Sequence, residues 1–316
     1  MVALGIDIGA TRTKLAVVET DTAEIQWSSI VSTPQFAEGD AFLDWLEQLL
    51  RATLREQDVE RIGVGVAGFV EYGGSVVHSP NIPALRQIPL QTWLQQRFRL
   101  PVRVDNDANV AAWAEYRAGV ARDVTDFLYV TLGTGVGGAL VLGGRLWRGV
   151  HGGAGEIGHM VVDLTASGQA GMPLFRVGVV EEYVGQAALL RCAQSVVRRY
   201  PASLLASRPV TMETLAEANA AADEAAQECI TWVGWITGLA IVSAIALLDV
   251  EVVVVGGGSV EAFPNLLSVA QATVRQRALP ALAERVQLRA AHFGSWAGAI
   301  GAALLSSEGE PDGGPE

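Results

Sequence analysis

The sequence predicts an α/β fold with mixed sheets, arranged as two related lobes. Short β-branched apolar runs alternate along the chain with stretches of helical periodicity, the pattern of layered α/β proteins. A weak internal repeat is present: "GIDIGATRTKLAVVE" and "YVTLGTGVGGALVLG" superpose at a constant offset of 124 residues, placing Gly9 on Gly133. Both copies read as strand, small-residue turn, strand. The 316 residues, half of them hydrophobic and 35 of them glycine, suffice for one large or two medium domains with a sizeable core. Two such hairpins facing each other would leave a cleft between the lobes as a natural ligand site.

The elements follow in order. Residues 2–8, 14–19 and 25–32 read as strands. Residues 40–57 form an amphipathic helix with Phe42, Leu46, Leu49, Leu50 and Leu54 on one stripe. "RIGVGVAGFV" is a buried strand ending in a glycine turn, and "PLQTWLQQRF" a short helix. "PVRVDNDANV" is a strand running into a turn, before a helix at "AAWAEYRAG". Strands at 127–132 and 137–142 come next, then mostly helix from residue 185 to Asp249. Within that region Trp232 to Leu248 carries no charge, at the short edge of a membrane span. Polar "DEAAQE" precedes it and "DVEVVVVGGG" follows, so it reads as a helix buried in the core. "VEVVVVGGG" is a fully buried strand stopping at three glycines, and a last helix begins near "SWAGAIGAALL". The polar, Gly/Pro-rich tail 307–316 reads as disordered.

The formal net charge of −12 argues against nucleic-acid and anionic-membrane partners, which would repel the chain. A neutral or cation-chelated small substrate fits better. Cys192 and Cys229 lie far apart and match no C-x-x-C spacing; they read as two reduced, packed thiols in a cytosolic protein. Asp7 and Arg12 interrupt the first apolar run, so no signal peptide is expected.

Four stretches carry residue types suited to chemistry. In "DIGATRTK", Asp7 ends an apolar strand, Gly9 and Ala10 allow a tight turn, Thr11 offers a hydroxyl and Arg12 a charge. Backbone N–H groups there can face phosphate oxygens, with Asp7 holding magnesium through water; the competing reading is a plain hairpin with Asp7 capping its turn. "TLGTGVGG" puts four glycines and two threonines in eight residues, a composition for close backbone approach to a ligand. It is neither a Walker A loop nor a dinucleotide fingerprint, since no G-K-[ST] follows and a strand comes next. In "VDNDANVAAWAE", Asp107 is either a helix cap or a general base accepting a proton from an attacking hydroxyl, with Asn106 orienting the same substrate. In "GVHGGAGEIGHM", Glu156 and His159 are three apart, on one face if helical, and suit the hydroxyls of a polyol; a metal site competes, but His78, His151 and His292 show no metal spacing.

In combination and in this order, "DIGATRTK", "NDAN", "TLGTGVGG", "AGEIGH" and "VVVVGGG" resemble the ROK family (repressor, open reading frame, kinase) of sugar kinases, from Gly5 to about Leu305. The resemblance implies two ribonuclease-H-like lobes of the actin-like ATPase type: 1–118 completed by 297–306, and 119–296. It assigns Asp7, Gly9, Thr11 and Arg12 to the phosphate and magnesium region. Gly133, Thr134 and Gly135 form the second phosphate turn, and Gly256, Gly257 and Gly258 lie near the adenosine. Asp107 is the implied catalytic base; Asn81, Asn106, Glu156, His159 and Glu181 are implied sugar contacts, with Glu182 the register alternative for Glu181. Lys14, the only lysine, reads as a solvated strand residue beyond the turn, Arg12 being the cation of the motif.

The chain departs from the family where relatives carry a cysteine-rich zinc segment. Met172, Leu174 and Val179 stand in those places, so no structural zinc site is expected and apolar packing should hold the loop. "VAGFV" replaces the usual P-G and no G-W follows "PNIP", both beside the expected sugar pocket. Starting directly at strand one, the sequence shows no winged helix-turn-helix. The expected activity is ATP- and Mg2+-dependent phosphorylation of a hexose 6-hydroxyl, glucose first, by a cytoplasmic homodimer. The alternatives are an amino sugar, N-acetylhexosamine or cyclitol as acceptor, or a sugar-binding sensor without catalysis.

Overall fold

The computed structural model describes residues 1–168 and 171–308. The chain opens with β1 (Val2–Ile8), β2 (Arg12–Glu19), β3 (Glu24–Ser32), helix α1 (Gly39–Glu56) and β4 (Arg61–Val66). Three short strands follow, β5 (Phe69–Val70), β6 (Val76–His78) and β7 (Arg86–Ile88), then α2 (Leu90–Phe98), β8 (Val102–Asn106) and α3 (Asp107–Arg117). A second strand group comprises β9 (Phe127–Leu132), β10 (Val136–Leu142) and β11 (Arg145–Trp147). The helical stretch contains α4 (Glu181–Val184), α5 (Gln186–Val196), α6 (Met212–Ala220) and α7 (Glu224–Leu248). The chain then forms β12 (Val252–Gly256), α8 (Gly258–Ala262), α9 (Asn265–Arg277), α10 (Pro280–Ala283), β13 (Gln287–Ala290) and α11 (Ala297–Ser306).

The repeat seen in the sequence reappears as topology. One five-stranded sheet has the order β3-β2-β1-β4-β8 and the other β11-β10-β9-β12-β13. Each is an antiparallel three-strand meander extended by two parallel strands on the side of its first strand; in the first sheet β1 pairs antiparallel with β2 and parallel with β4. The mixed sheets predicted from the alternation are therefore present twice. A third, small antiparallel sheet, β5-β6-β7, was hidden in the sequence because two of its strands hold only two and three residues.

The chain divides into two compact units. Unit 1 comprises Met1–Thr125, Ala139–Ala154 and the described residues from Ser295 onward; unit 2 comprises Asp126–Gly138 and Gly155–Gly294. In unit 1, alternate residues of β1 face opposite ways. Leu4, Ile6 and Ile8 join Phe42, Leu46 and Leu50 of α1 in a fully buried core. The other face carries Gly5, against which α11 lies backbone to sheet: a Cβ at Gly5 would sit 1.8 Å from the Ala299 carbonyl oxygen. Helix α11 is rich in Gly and Ala for this reason, and it packs on α3 by the same device at Gly301.

In unit 2, β12 is buried at every residue, paired in parallel with β9 and β13. Helix α7 packs on α5 and α9. Among the described residues it is the one helix long and apolar enough to cross a membrane, and 56% of its most apolar window is buried within the protein. Its burial follows the sequence expectation.

Three expectations are corrected. Helix α3 begins at Asp107 with no intervening turn, because the Asn106 side chain accepts hydrogen bonds from the Ala108 and Asn109 N–H groups and starts the helix at once. The loop lacking zinc cysteines is not held by apolar packing. Val179 is buried, but Leu174 is 86% exposed and Phe175 68% exposed. Polar bonds hold it instead: Tyr183 donates to Asp163 at 2.6 Å, the Val162 and Asp163 N–H groups donate to the Gly178 carbonyl, and Arg176 pairs with Glu181 and Glu182. Burial and this bond to Asp163 push the Tyr183 hydroxyl up to about 12. Of the predicted tail 307–316, Ser307 continues the turn after α11 and Glu308 pairs with Arg117, while residues 309–316 lie outside the described residues.

Candidate active site

In unit 1, three segments converge. The Asn106 side-chain nitrogen donates to the Gly68 carbonyl at 2.9 Å, while its oxygen caps α3. Ser79 donates to the Ala67 carbonyl at 2.6 Å, and the Ile82 N–H donates back to Ser79, shaping the exposed turn that carries Asn81. The "VAGFV", "SPNIP" and "NDAN" stretches are thus bonded into one surface, with Asp107 as the first helical residue. One Asp107 oxygen accepts the Ala108 N–H at 2.9 Å.

Asp105 anchors this surface from behind. It is 6% exposed at its side chain, and one of its oxygens takes two of the Arg148 nitrogens, Nε at 2.7 Å and Nη2 at 2.6 Å. Its other oxygen accepts from Asn109 Nδ2 at 2.7 Å and from the Asn106 N–H at 2.8 Å. A nearly buried pair of this kind, two guanidinium nitrogens on one carboxylate oxygen, fixes geometry more than it adds stability. The sequence signal for it was slight: an arginine far downstream, ahead of a glycine-rich run.

The turn after β1 closes with the Gly9 N–H on the Arg12 carbonyl at 3.1 Å, and Thr33 donates to the Gly9 carbonyl at 2.8 Å. Thr11 and Arg12 are exposed at its tip. Here the reading of Lys14 is corrected. The register pairs Ile8 with Thr13 and therefore Asp7 with Lys14. Lys14 is 20% exposed, lies 3.9 Å from Asp7 and donates to the Ser295 carbonyl. It is the cation beside Asp7, a placement that hairpin register, counted outward from the turn, dictates.

Burial raises the Asp7 carboxyl above its ordinary value, with Lys14 opposing. Folding therefore favours the protonated form. This contribution to stability is complete below the unfolded value of 3.8 and is lost as pH rises through the folded value, above which the wild type carries the cost of a desolvated, ionised carboxylate. Asp7→Asn is expected to raise the melting temperature of the ligand-free protein at pH 7, with the gain shrinking toward roughly pH 4. Melting curves at both pH values check this; a variant less stable than wild type at pH 7 contradicts it.

In unit 2, the two glycine turns lie side by side. Gly133 follows the end of β9 and Gly256 ends its parallel neighbour β12, with Gly256 in register with Thr131. The first turn is closed by the Gly133 N–H on the Gly135 carbonyl at 2.9 Å. Gly257 has a left-handed φ of 93°, and a Cβ there would lie 2.4 Å from the Leu132 carbonyl oxygen, so only glycine fits. No heavy atom lies within 4 Å of the Cβ positions at Gly133 and Gly258, so side-chain-sized space opens off both turns. Both turns lie at the C-terminal ends of parallel strands, where open α/β sheets place their ligands.

Beside them lie the candidate polyol contacts. Ile157–His159 form a short 3-10 turn whose His159 N–H donates to the Glu156 carbonyl at 3.0 Å, which brings both exposed side chains to one side. Desolvation lifts the Glu156 carboxyl above its ordinary value, against the pull of His159 and with a further push from Glu181. Glu181 accepts the Val136 N–H at 2.9 Å and Arg176 at 2.8 Å, and its carboxylate rests on Gly135. Glu182, the register alternative, pairs with Arg176 and Arg191. Unit 1 thus gathers Asp7, Gly9, Asn81, Asn106 and Asp107, and unit 2 gathers Gly133 to Gly135, Glu156, His159, Glu181 and Gly256 to Gly258. Among the described residues no group of three or more His, Cys, Asp or Glu is arranged to hold a metal ion.

Comparison with known proteins matches this arrangement. The ROK family profile covers residues 3–308. A glucokinase of Halalkalibacterium halodurans is 32% identical over 319 residues, 97% of this chain and 95% of that protein. An N-acetylmannosamine kinase of Escherichia coli O1:K1 is 34% identical over 307 residues, 97% of this chain and 98% of that protein. Among solved structures, a ROK family glucokinase from Streptomyces griseus in complex with glucose and AMPPNP superposes with a TM-score of 0.82 at 30% identity, covering 98% of this chain and all of that one. The ROK hexokinase from Thermus thermophilus gives 0.77 at 30% identity, covering 96% and 97%. The chain belongs to the ROK family and carries its α/β, actin-like ATPase fold.

Proposed function

We propose that this carbohydrate kinase transfers the γ-phosphoryl group of ATP to the 6-hydroxyl of a hexose, with glucose as its first substrate. The observation that carries the reading is a carboxylate, Asp107, fixed at the start of α3 by the Asn106 cap, in a chain that also bears two adjoining glycine turns at the ends of β9 and β12. Asp107 is assigned as the general base that takes the hydroxyl proton as the oxygen attacks phosphorus. Asn106 donates its second amide hydrogen to a sugar hydroxyl, and Asn81, Glu156, His159 and Glu181 recognise others. Backbone N–H groups at 133–135 and 9–12 cradle phosphate oxygens, and 256–258 borders the adenosine.

Magnesium fits the residues present. Asp7 is a partly desolvated carboxylate whose charge meets one cation at 3.9 Å, and Mg2+ characteristically binds through one or two carboxylates plus water and phosphate oxygens. Asp7 would hold it, and the ion would supply charge neutralisation to the phosphates.

A second acceptor class, an N-acetylhexosamine, is favoured by the similarity to N-acetylmannosamine kinase and by the altered "VAGFV" and "SPNIP" borders. ADP release measured over a panel of glucose, mannose, N-acetylmannosamine, N-acetylglucosamine and a cyclitol separates the two. The highest kcat/KM is expected with glucose; a higher value with an N-acetylhexosamine shifts the substrate and leaves the chemistry standing. Sugar-dependent thermal stabilisation without ADP release from any donor would replace the kinase reading by a sensor. The same reading has the enzyme act in the cytoplasm, where ATP is supplied, as a homodimer, whose mass light scattering measures.

A further inference from the structure

Helix α4 is tied to the glycine turn at 133–135 at its start and just past its end. Glu181 Oε2 accepts the Val136 N–H at 2.9 Å, and the Gln186 N–H donates to the Gly133 carbonyl at 3.0 Å. The second carboxylate oxygen, Glu181 Oε1, accepts from Arg176 Nη2 at 2.8 Å. Both oxygens of this side chain, 22% exposed, are therefore held. Beyond these two bonds each oxygen has a second lone pair for a hydroxyl donor.

Arg176 is itself fixed before it reaches Glu181. Its Nε donates to Glu182 Oε1 at 2.9 Å, and its Nη2 lies 2.6 Å from the same oxygen. One edge of the planar guanidinium is pinned on Glu182, which aims the remaining Nη2 hydrogen at Glu181. The backbone beneath it is pinned as well. Arg176 ends a 3-10 turn, Leu174–Arg176, in which its N–H donates to the Pro173 carbonyl at 2.9 Å and the Val177 N–H to the Leu174 carbonyl at 3.1 Å. Val161 and Val179 then form an antiparallel bridge, and the Val180 N–H donates to the Met160 carbonyl at 2.9 Å, so the chain returns beside His159. The Phe175 ring stands 6.2 Å from the His159 ring. The turn that replaces the family's cysteine segment thus meets Glu181 through Arg176 and His159 through Phe175.

We propose that Arg176 is a positioning residue for the acceptor: anchored on Glu182, it sets the Glu181 carboxylate in the one orientation that receives the sugar hydroxyls. The proposal rests on the reading of Glu181 as a sugar contact. Without Arg176, Glu181 keeps a single bond, to the Val136 N–H, and turns about its side-chain torsions; acceptor binding then has to order it. The bond from Gln186 to Gly133 does not involve Arg176, so the glycine turn stays in place for the nucleotide. Arg176 therefore acts on the acceptor and not on ATP.

Calorimetric titration of the full chain with each acceptor of the sugar panel gives the Kd directly, without turnover. For a sugar that the wild type binds, Arg176→Ala is expected to raise the Kd about tenfold while the KM for ATP changes less than about twofold. Glu181→Ala should raise the same Kd at least about tenfold, and adding Arg176→Ala to it should cost less than about a further twofold, because the route to the sugar is already gone. Arg176→Lys keeps the charge without the planar edge; it decides the question if Arg176→Ala fails to fold, and should bind the sugar at least about threefold more weakly than wild type. Wild-type affinity in folded Arg176→Ala or Arg176→Lys, effects that multiply in the double variant, or a KM for ATP that rises in step with the sugar Kd would overturn the proposal and leave Glu181 a sugar contact. A wild type that binds no sugar of the panel, or an unchanged Kd in Glu181→Ala, would overturn the reading of Glu181 and the proposal with it.

Discussion

Asp107→Asn is expected to lower kcat by roughly 1000-fold while the protein keeps its melting temperature and its KM for the sugar changes little. The argument is local. Asn106, not Asp107, caps α3, accepting the Ala108 and Asn109 N–H groups. The substitution is isosteric and leaves that cap in place. It removes the basic carboxylate while keeping an amide oxygen that can accept the Ala108 N–H. ADP release under saturating ATP and sugar, with thermal melting alongside, checks it. A melting temperature that falls with kcat nearly intact would make Asp107 a structural residue and remove the general base from the proposed mechanism. Asn106→Ala should show the opposite balance: a loss of about 1 kcal/mol in stability from the missing cap, together with reduced activity because Asp107 loses its support.

Gly301→Val carries the largest expected effect on stability. A Cβ at Gly301 would lie 1.7 Å from the Val110 carbonyl oxygen, 2.5 Å from its carbon and 3.2 Å from the Ala114 nitrogen. Those atoms are the backbone of α3, so no side chain can swing away, and the two helices must separate. The expected cost is at least about 3 kcal/mol, a fall in melting temperature of roughly 5 °C for a chain of this size. Because Asp107 begins α3, activity per folded molecule should fall too. Gly133→Ala is the contrast: the space beyond its Cβ position is open, so the melting temperature should hold while the KM for ATP rises. Thermal scans of both variants, with kinetics on the folded fraction, test the pair; a Gly301→Val protein that melts like wild type would show that α3 and α11 are not held in this contact.

The candidate site was legible in the sequence to the extent that local chemistry specifies its turns and side chains. Turns at 9–12, 133–135 and 256–258 declare themselves because glycine runs at strand ends have few other physical reasons to exist. Asp107 and Asn106 were legible as residues, but which of them capped the helix was not: both types cap well, and only the backbone path at 106 decides. Lys14 was misread because its meaning depends on its partner across a hairpin, and a one-residue difference in turn length would have pointed it elsewhere. Asp105 with Arg148 was invisible for a related reason, since the pair joins positions that no local pattern links.

By itself, the sequence determined the mixed α/β class, the two copies of the strand-turn-strand repeat, most principal strands and helices apart from α9 and β13, and the order of the motifs that identify the family. Each of these is written in periodicity, glycine placement or composition, which act within a few residues along the chain. Only the tertiary structure decided that Lys14 faces Asp7 and that the loop at 160–183 is held by Asp163, Tyr183 and Arg176 rather than by apolar side chains. Those outcomes depend on register and helix packing, where a shift of one residue or a few ångströms changes every partner while the local pattern stays the same.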